Sequence, residues 1–511
     1  MARSVWEIVS ARSGGHAIGA PSADWMDGAA LATLVAETRA QLNAVGIGRG
    51  DRVAIVLPNG PAMAACFLAI ASTCAAAPLN PAYKDEEFDF YLSDLKPAAL
   101  IVPVGDENVA SLAAARQGIP LIGLEEVDGA AGAFQLALGG LAQRPAAHPG
   151  PAEPDDIALV LHTSGTTARP KIVPLTGRNV AASARNIAAA VALTPDDVCL
   201  NIMPLFHIHG LIAAVLASLH AGAGVCCTPG FNAFKMPEWL GTVRPTWFTA
   251  VPTMHQAILM RMRDKTDQAR SIGLRLIRSS SASLPPQVMA ELETVFACPV
   301  IEAYGMTEAA HQMCSNPLPP AARKPGHVGR AAGPEVAVMD EHGAILPQGA
   351  TGEVVIRGEN VTPGYVDNPT ANAVAFTNGW FRTGDQGRID EEGYLALTGR
   401  LKEQINRGGE KISPLEIDVV LLDHPGIAQV VTFGIPHDKL GEEVGAVVVL
   451  RNGHTVTEQE IRDFAATRLA AYKVPRRIVM MFHLPKGATG KVQRVGLAAK
   501  LGLVAKPGPV A

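Results

Sequence analysis

Charge is scarce in this chain and aromatic rings are scarcer. Of 511 residues, 18% are Asp, Glu, Lys or Arg and 5% are Phe, Trp or Tyr. The formal net charge is -5, with no block of one sign. The electrostatic footprint of a nucleic-acid-binding protein is therefore missing. Cys66, Cys74, Cys199, Cys226, Cys227, Cys298 and Cys314 show no C-x-x-C spacing and sit mostly in apolar surroundings. They read as buried, reduced thiols.

Long apolar runs are also missing. The nearest approach is AMAACFLAIASTCAAAPL, 62–79, which is Ala-rich and interrupted by Ser72 and Thr73. The strand-and-turn signal VAIVLPNG precedes it, and Pro61 suits the first turn of a helix. A buried helix in an α/β layer is expected there, not a membrane span. The opening MARSVWEIVSARSGG has no apolar stretch of signal-peptide length, and KPGPVA at the end matches no retention or peroxisomal signal. A cytoplasmic location with no membrane partner is the expectation.

What the chain does contain is a large apolar fraction, 48%, and more length than one ordinary core can use. Strand candidates VAIVL (53–57), ALIVPV (99–104), IALVLHT (157–163), TWFTAV (246–251), LRLIRSS (274–280) and EVVIRG (353–358) alternate with helical stretches such as 181–193 and 285–297. That alternation predicts parallel sheets with helices on their faces. From about 335, shorter strands and Gly-rich turns predict a small, more antiparallel β region. After GYLALTGR (393–400) a new pattern begins, with helices at LEIDVVLLDHPGI and TEQEIRDFAATRLA and strands at VVTFGIP and GAVVVL. The fold class is thus α/β. A large N-terminal domain of parallel-sheet layers plus the small β region spans 1–400, and a small α/β domain spans 401–511.

The stretch LHTSGTTARPKIVPLT, 161–176, carries the first chemical signal. Backbone N–H groups of a Gly/Ser/Thr turn converge readily on phosphate oxygens, and a nearby lysine adds charge without fixed geometry. Thr163, Ser164, Gly165, Thr166, Thr167 and Lys171 supply those parts just after a strand. G-x-x-x-x-G-K-[ST] is absent, so this is no Walker A loop. A plain polar turn and a phosphate cradle both fit these residues.

T-S-G-T-T-x-x-P-K is similar to the phosphate loop of the adenylate-forming superfamily, the acyl-CoA synthetases, luciferases and peptide-synthetase adenylation domains. PLFHIHG (204–210), SSSASL (279–284), EAYGMTE (302–308), GWFRTGD (379–385), GRLKEQINRGGEKISP (399–414) and LPKGATGK (484–491) follow in that family's order. The resemblance implies an ATP site in which Tyr304 stacks on adenine, with Ala282, Glu302 and Ala303 beside it. Thr307 would reach a phosphate, and Asp385 and Arg400 would hold the ribose. Glu308 would hold Mg²⁺, a hard cation suited to carboxylate and phosphate oxygens. Lys491 would bridge carboxylate and α-phosphate during adenylation, and CoA would accept the acyl group. The C-terminal domain would be mobile about Lys402, bringing Arg407–Lys411, with Gly408, Gly409 and Lys411, to the thiol tunnel. Two departures stand out: Ala168 where glycine is usual, and Ile172 directly after Lys171.

The acid site reads as polar and small. His207 falls at the family's usual gating position and is carried both as a catalytic and as an acid-site residue. His209, Ser281 and His311 join it as short donors for a second carboxylate, whose burial unpaired would be prohibitive. A turn of helix over 305–311 would put Glu308 and His311 on one face. RSSSASLPP, EAYGMTEAAHQMCSNPLPP and APLNPAYKDEEFDFYLSD further resemble the oxalate–CoA ligases, which implies oxalate as substrate. Three alternatives stand beside it. One is another small-acid ligase, for malonate or methylmalonate, which a pocket arginine would favour although the sequence places none. Another is an adenylation enzyme loading a carrier protein. The third is a silent relative, against which Glu308, Asp385, Arg400 and Lys491 speak. A monomer or a homodimer fits.

Overall fold

The computed structural model describes residues 2–106, 108–163, 170–485 and 494–503. The chain divides into two compact units, Met1–Val336 with Ile356–Phe381, and Ala337–Val355 with Arg382–Ala511. The division runs through the strands Glu335–Met339, Thr351–Arg357 and Trp380–Ile389 of the small β region.

Among the described residues the first unit holds a seven-stranded and a nine-stranded sheet. In the seven-stranded sheet Arg52–Ile55 lies between Ala75–Pro78 and Ala99–Pro103, parallel to both. Helices Asp85–Leu95 and Val109–Arg116 bury Phe88, Leu92, Ala110 and Ala114 against it. In the nine-stranded sheet Val198–Asn201, Trp247–Ala250, Leu276–Ser279 and Val300–Met306 run parallel in that spatial order. Helices Pro252–Met262 and Pro286–Phe296 cover one face through Ile258, Met262, Leu292 and Phe296. Both helices start with proline in the first turn, where its missing N–H costs no hydrogen bond. The strand candidates read from the sequence all fall on strands, and all seven cysteines are buried and unbridged.

One expectation needs correcting. The stretch 62–79 is not a single helix. It forms a helix only over Pro61–Ala71, fully shielded on nearly every side, and continues as the strand Ala75–Pro78. Thr73 Oγ1 donates to the Ala69 carbonyl at 2.9 Å and closes the helix end. Alanine is the best helix former, yet Ala75–Ala77 are held extended by parallel pairing with Arg52–Ile55 and, at Ala76, with Leu159. Sheet context overrides propensity here. No described helix is long and apolar enough to cross a membrane.

In the second unit a sheet orders Glu410–Ile412, Ile405–Arg407, Gly441–Leu450 and Ile427–His437, with Arg477–Met480 parallel to Gly441–Leu450. Successive residues of Gly441–Leu450 point to opposite faces, as the pleat requires. Val444, Ala446 and Val448 pack with Ile417, Leu421 and Ile461 of the helices Pro414–Leu422 and Glu458–Ala466. Val447 packs instead with Phe433, Leu484 and Leu497. Buried Asp418 accepts from the Thr432 amide at 2.7 Å and pairs with Arg494. Removing that carboxylate leaves the partly buried Arg494 with only the longer pair to Glu403, at 3.6 Å, and takes the acceptor from the Thr432 amide. Asp418→Ala is expected to destabilise the second unit by about 2–3 kcal/mol, read as a lowered urea midpoint of its unfolding. A loss under about 1 kcal/mol would contradict this role for the pair.

Candidate active site

Register across the parallel strands decides which side chains meet. Asn201 stands beside Thr249, Thr249 beside Arg278 and Arg278 beside Ile301. One residue further, Ala250, Ser279 and Glu302 are neighbours on the opposite face. The first of these faces carries a polar cluster. His209, fully buried at the start of the π-helical stretch His209–Leu216, sets Nε2 2.7 Å from Thr249 Oγ1 and Nδ1 3.0 Å from Ser281 Oγ. Its amide donates to His207 Nδ1 at 3.3 Å. The His209 and His311 rings lie 4.8 Å apart, centre to centre. Three of the four residues assigned to the acid from sequence therefore converge, and half-buried His207 adjoins them through the backbone.

Ser281 holds φ of +73°, the left-handed region where L-residues are uncommon. The hydrogen bond between its hydroxyl and His209 helps hold that strained backbone.

The hairpin that presents Glu308 and His311 is not helical in the way the spacing predicts. Thr307–Ala309 make one 3₁₀ turn, Ala310 and His311 have positive φ, and His311 opens the strand His311–Ser315. Glu308 and His311 do not share a helix face. The segment pairs as a hairpin instead: Met306 faces His311 and Gly305 faces Gln312 across antiparallel strands, while Thr362 N donates to Glu308 O at 2.7 Å and Asn360 Nδ2 donates to Ala309 O at 2.8 Å at the turn. Gly305 is required by the same turn, since a Cβ there would run into the His311 carbonyl.

Glu308 is buried, and its Oε1 accepts from the Tyr365 hydroxyl at 2.9 Å. Burial, and then the neighbouring carboxylate, push the Tyr365 phenol up, so it stays a donor. Lys171 Nζ lies 4.4 Å from the Tyr365 ring centre, a cation–π contact. Thr163 and Lys171 join through Thr163 N–H to Lys171 O at 2.9 Å. Ser164, Gly165, Thr166, Thr167 and Ala168, and likewise Lys491, lie outside the described residues. Ile172 heads the strand Ile172–Thr176 and is buried with Val160 and Ala77, which gives its bulk a core role.

Tyr304 is nearly buried on the Val300–Met306 strand, Ala303 is buried before it, Thr307 is half-buried and Ala282 is exposed. Glu302 sits fully inside, with Oε1 accepting from Leu284 N at 3.0 Å, and burial pushes its carboxyl up to about 8. In the second unit Arg400 Nε donates to Asp385 Oδ1 at 2.8 Å across adjacent antiparallel strands. Lys402 and Lys411 are exposed, while Gly408 and Gly409 have φ of +62° and +94° in the turn joining Ile405–Arg407 to Glu410–Ile412. That two-residue turn alone demands glycine-like backbone.

Sequence reasoning missed Arg278, Thr249, Gln312 and Tyr365. A charged residue inside the apolar strand LRLIRSS was the available signal for Arg278. Arg278 is fully buried. Nη2 donates to Gln312 Oε1 at 3.1 Å and Nη1 reaches Thr249 Oγ1 at 3.4 Å.

The chain matches known proteins over nearly its whole length. The AMP-binding enzyme family profile matches residues 12–366, and that of the AMP-binding enzyme C-terminal domain matches 416–491. A probable CoA ligase CCL9 of Humulus lupulus is 47% identical over 91% of this chain and 90% of its own. An oxalate–CoA ligase of Arabidopsis thaliana is also 47% identical, over 88% of each chain. The crystal structure of ATP-bound MatB from Rhodopseudomonas palustris superposes with a TM-score of 0.87 at 30% identity, covering 98% of this chain and 99% of that one. The chain belongs to the AMP-binding enzyme family. Within it, it is an acid–CoA ligase of the AMP-forming class.

Glu302 generates a pH prediction. Its folded-state value lies above its unfolded one, so the native state keeps a proton that the unfolded state releases between about pH 4.5 and 8. Stability from this group is therefore lost as pH rises through that window. Glu302→Gln and wild type should melt alike near pH 5, with the variant higher by about 3 °C or more above pH 8. An unchanging difference would place the Glu302 carboxyl outside that range.

Proposed function

We propose that the protein activates oxalate as an acyl adenylate with ATP and passes the acyl group to CoA. The observation that carries this reading is the convergence of buried His209, half-exposed Ser281 and buried His311, the last on the hairpin that also bears Glu308. Short polar donors brought together suit a compact diacid, whose second carboxylate needs partners when buried. The 47% identity to an oxalate–CoA ligase supports the same acid.

In the first half-reaction a carboxylate oxygen attacks the α-phosphorus of ATP and pyrophosphate leaves. Both partners are anionic, so Lys491, Lys171 and the donors of Thr163, Ser164, Gly165, Thr166 and Thr167 neutralise charge as it develops. Tyr304 stacks on the adenine, with Ala282, Glu302 and Ala303 shaping its surroundings, and Asp385 and Arg400 take the ribose. The buried Glu308 carboxylate offers hard oxygens, with Thr307 alongside, and would hold the Mg²⁺ that accompanies ATP and offsets phosphate charge. In the second half-reaction the CoA thiol attacks the acyl carbonyl and AMP departs. A division at Lys402 between residues 1–400 and 401–511 lets Lys491 give way to Arg407–Lys411, with Gly408, Gly409 and Lys411 lining the thiol path.

A malonate reading is the second one, favoured by Arg278, a buried arginine beneath the same cluster. Pyrophosphate release with ATP, Mg²⁺ and CoA across oxalate, malonate, acetate, octanoate and benzoate separates the readings. Oxalate dependence is expected; preference for malonate selects the second reading, and preference for a monoacid rejects both. His311→Ala should raise the KM for oxalate by about 10- to 100-fold, the worth of a hydrogen bond to a charged group, and leave the KM for ATP within about threefold. Equal rises in both constants would remove His311 from the acid site. Lys491→Ala should slow adenylation by about 100-fold or more while leaving thioester formation from preformed acyl adenylate nearly intact.

A further inference from the structure

Among the described residues Arg278 has no carboxylate to answer it. Its guanidinium is fully buried, and its contacts among the described residues are the neutral oxygens of Thr249 and Gln312. Nε has no hydrogen-bond partner there. Glu302, buried on the adjacent strand, cannot serve. Arg278 stands opposite Ile301 and Glu302 opposite Ser279, so the two side chains leave the sheet on opposite faces. His255 approaches only the Arg278 carbonyl, at 3.2 Å, and burial pushes its ring down to about 4, which leaves it neutral. Burial lowers the guanidinium itself to about 9, so it remains a cation at neutral pH.

The same arginine sits at the root of a hydrogen-bond chain. A guanidinium only donates, so Thr249 Oγ1 accepts from Arg278 and turns its own proton to His209 Nε2, 2.7 Å away. His209 then carries its proton on Nδ1 and gives it to Ser281 Oγ, at 3.0 Å. The Ser281 hydroxyl proton is left to point away from the histidine. Ser281 is half-exposed, unlike Thr249 and His209.

We propose that Arg278 is a positioning and specificity-determining residue. It puts positive charge under the acid site and orders Thr249, His209 and Ser281 so that the site takes a small acid bearing a second anionic group, a carboxylate or a sulfonate. The proposal rests on the reading of the chain as a small-acid CoA ligase and identifies what that acid must carry. The charge missing from the protein is brought by the substrate, and neutral Gln312 holds the guanidinium without cancelling it. Ser281 delivers the hydrogen bond directly; Arg278 acts through the chain and through its field.

The test uses the full-length enzyme and pyrophosphate release with ATP and CoA. Oxalate, malonate and sulfoacetate are compared with glycolate and acetate, which lack the second anion. Wild type is measured first. If it shows no preference for the acids with a second anion, the small-diacid reading has failed before any variant is made. Given that preference, Arg278→Met should lower the ratio of kcat/KM for oxalate to that for glycolate by at least about tenfold, through KM for oxalate, with the KM for ATP within about threefold. Arg278→Lys, which keeps a charge but not the fork, should lose less. Thr249→Val, close in volume and unable to relay a proton, should also lower the ratio. A ratio unchanged in Arg278→Met overturns the proposal. If that variant does not fold, an unchanged ratio in both Arg278→Lys and Thr249→Val overturns it equally.

Discussion

A cation sealed inside a protein must be answered by something, because its desolvation costs several kcal/mol even after the surroundings relax. The nine-stranded sheet seals Arg278 on a face whose neighbours are hydroxyl, amide and imidazole groups. The one buried carboxylate on the next strand points the other way by strict alternation. The consequence runs outward through Thr249 to His209 and from there to Ser281, each polar group fixing the next. Networks of this kind specify a geometry because the buried members, Arg278, Thr249 and His209, each need a partner.

The hairpin after the Val300–Met306 strand completes the same site by different means. Its carbonyls are bonded by Asn360 and Thr362 from a distant segment, so the backbone turns sharply and His311 is set beside His209. Tyr365 from that segment also holds Glu308 and lies under Lys171. Lys171 and an acidic side chain thus share one aromatic support. The segment 358–365 couples parts of the chain that are almost two hundred residues apart, as the Thr362 hydroxyl bonded to Pro174 O also shows.

Much of this was legible in the sequence because alternation of strand and helix, and short motifs, are local signals. IALVLHT, TWFTAV and LRLIRSS fell on strands, and PLFHIHG, SSSASL and the T-E-A-x-H segment supplied side chains that do meet. What escaped notice was set by register and long-range bonding. Arg278 looked like one charge in a strand, and only its pairing with Thr249 and Ile301 shows which face it takes. A turn of helix over 305–311, which would have put Glu308 and His311 on one face, is replaced by antiparallel pairing of Met306 with His311 and Gly305 with Gln312. Ala75–Ala77 carried a helical composition into a strand because two neighbours pair with it. Ile172 seemed a departure at the loop and proved a core residue.

On the proposal made for Arg278, the second anionic group of the acid lies over Ser281, above the buried charge. A crystal structure with a non-reactive oxalyl-adenylate analogue tests it most directly. The account predicts the free carboxylate within about 3 Å of Ser281 Oγ, on the His209 and His311 side of the hairpin. A free carboxylate turned to solvent, with Ser281 uncontacted, would contradict it.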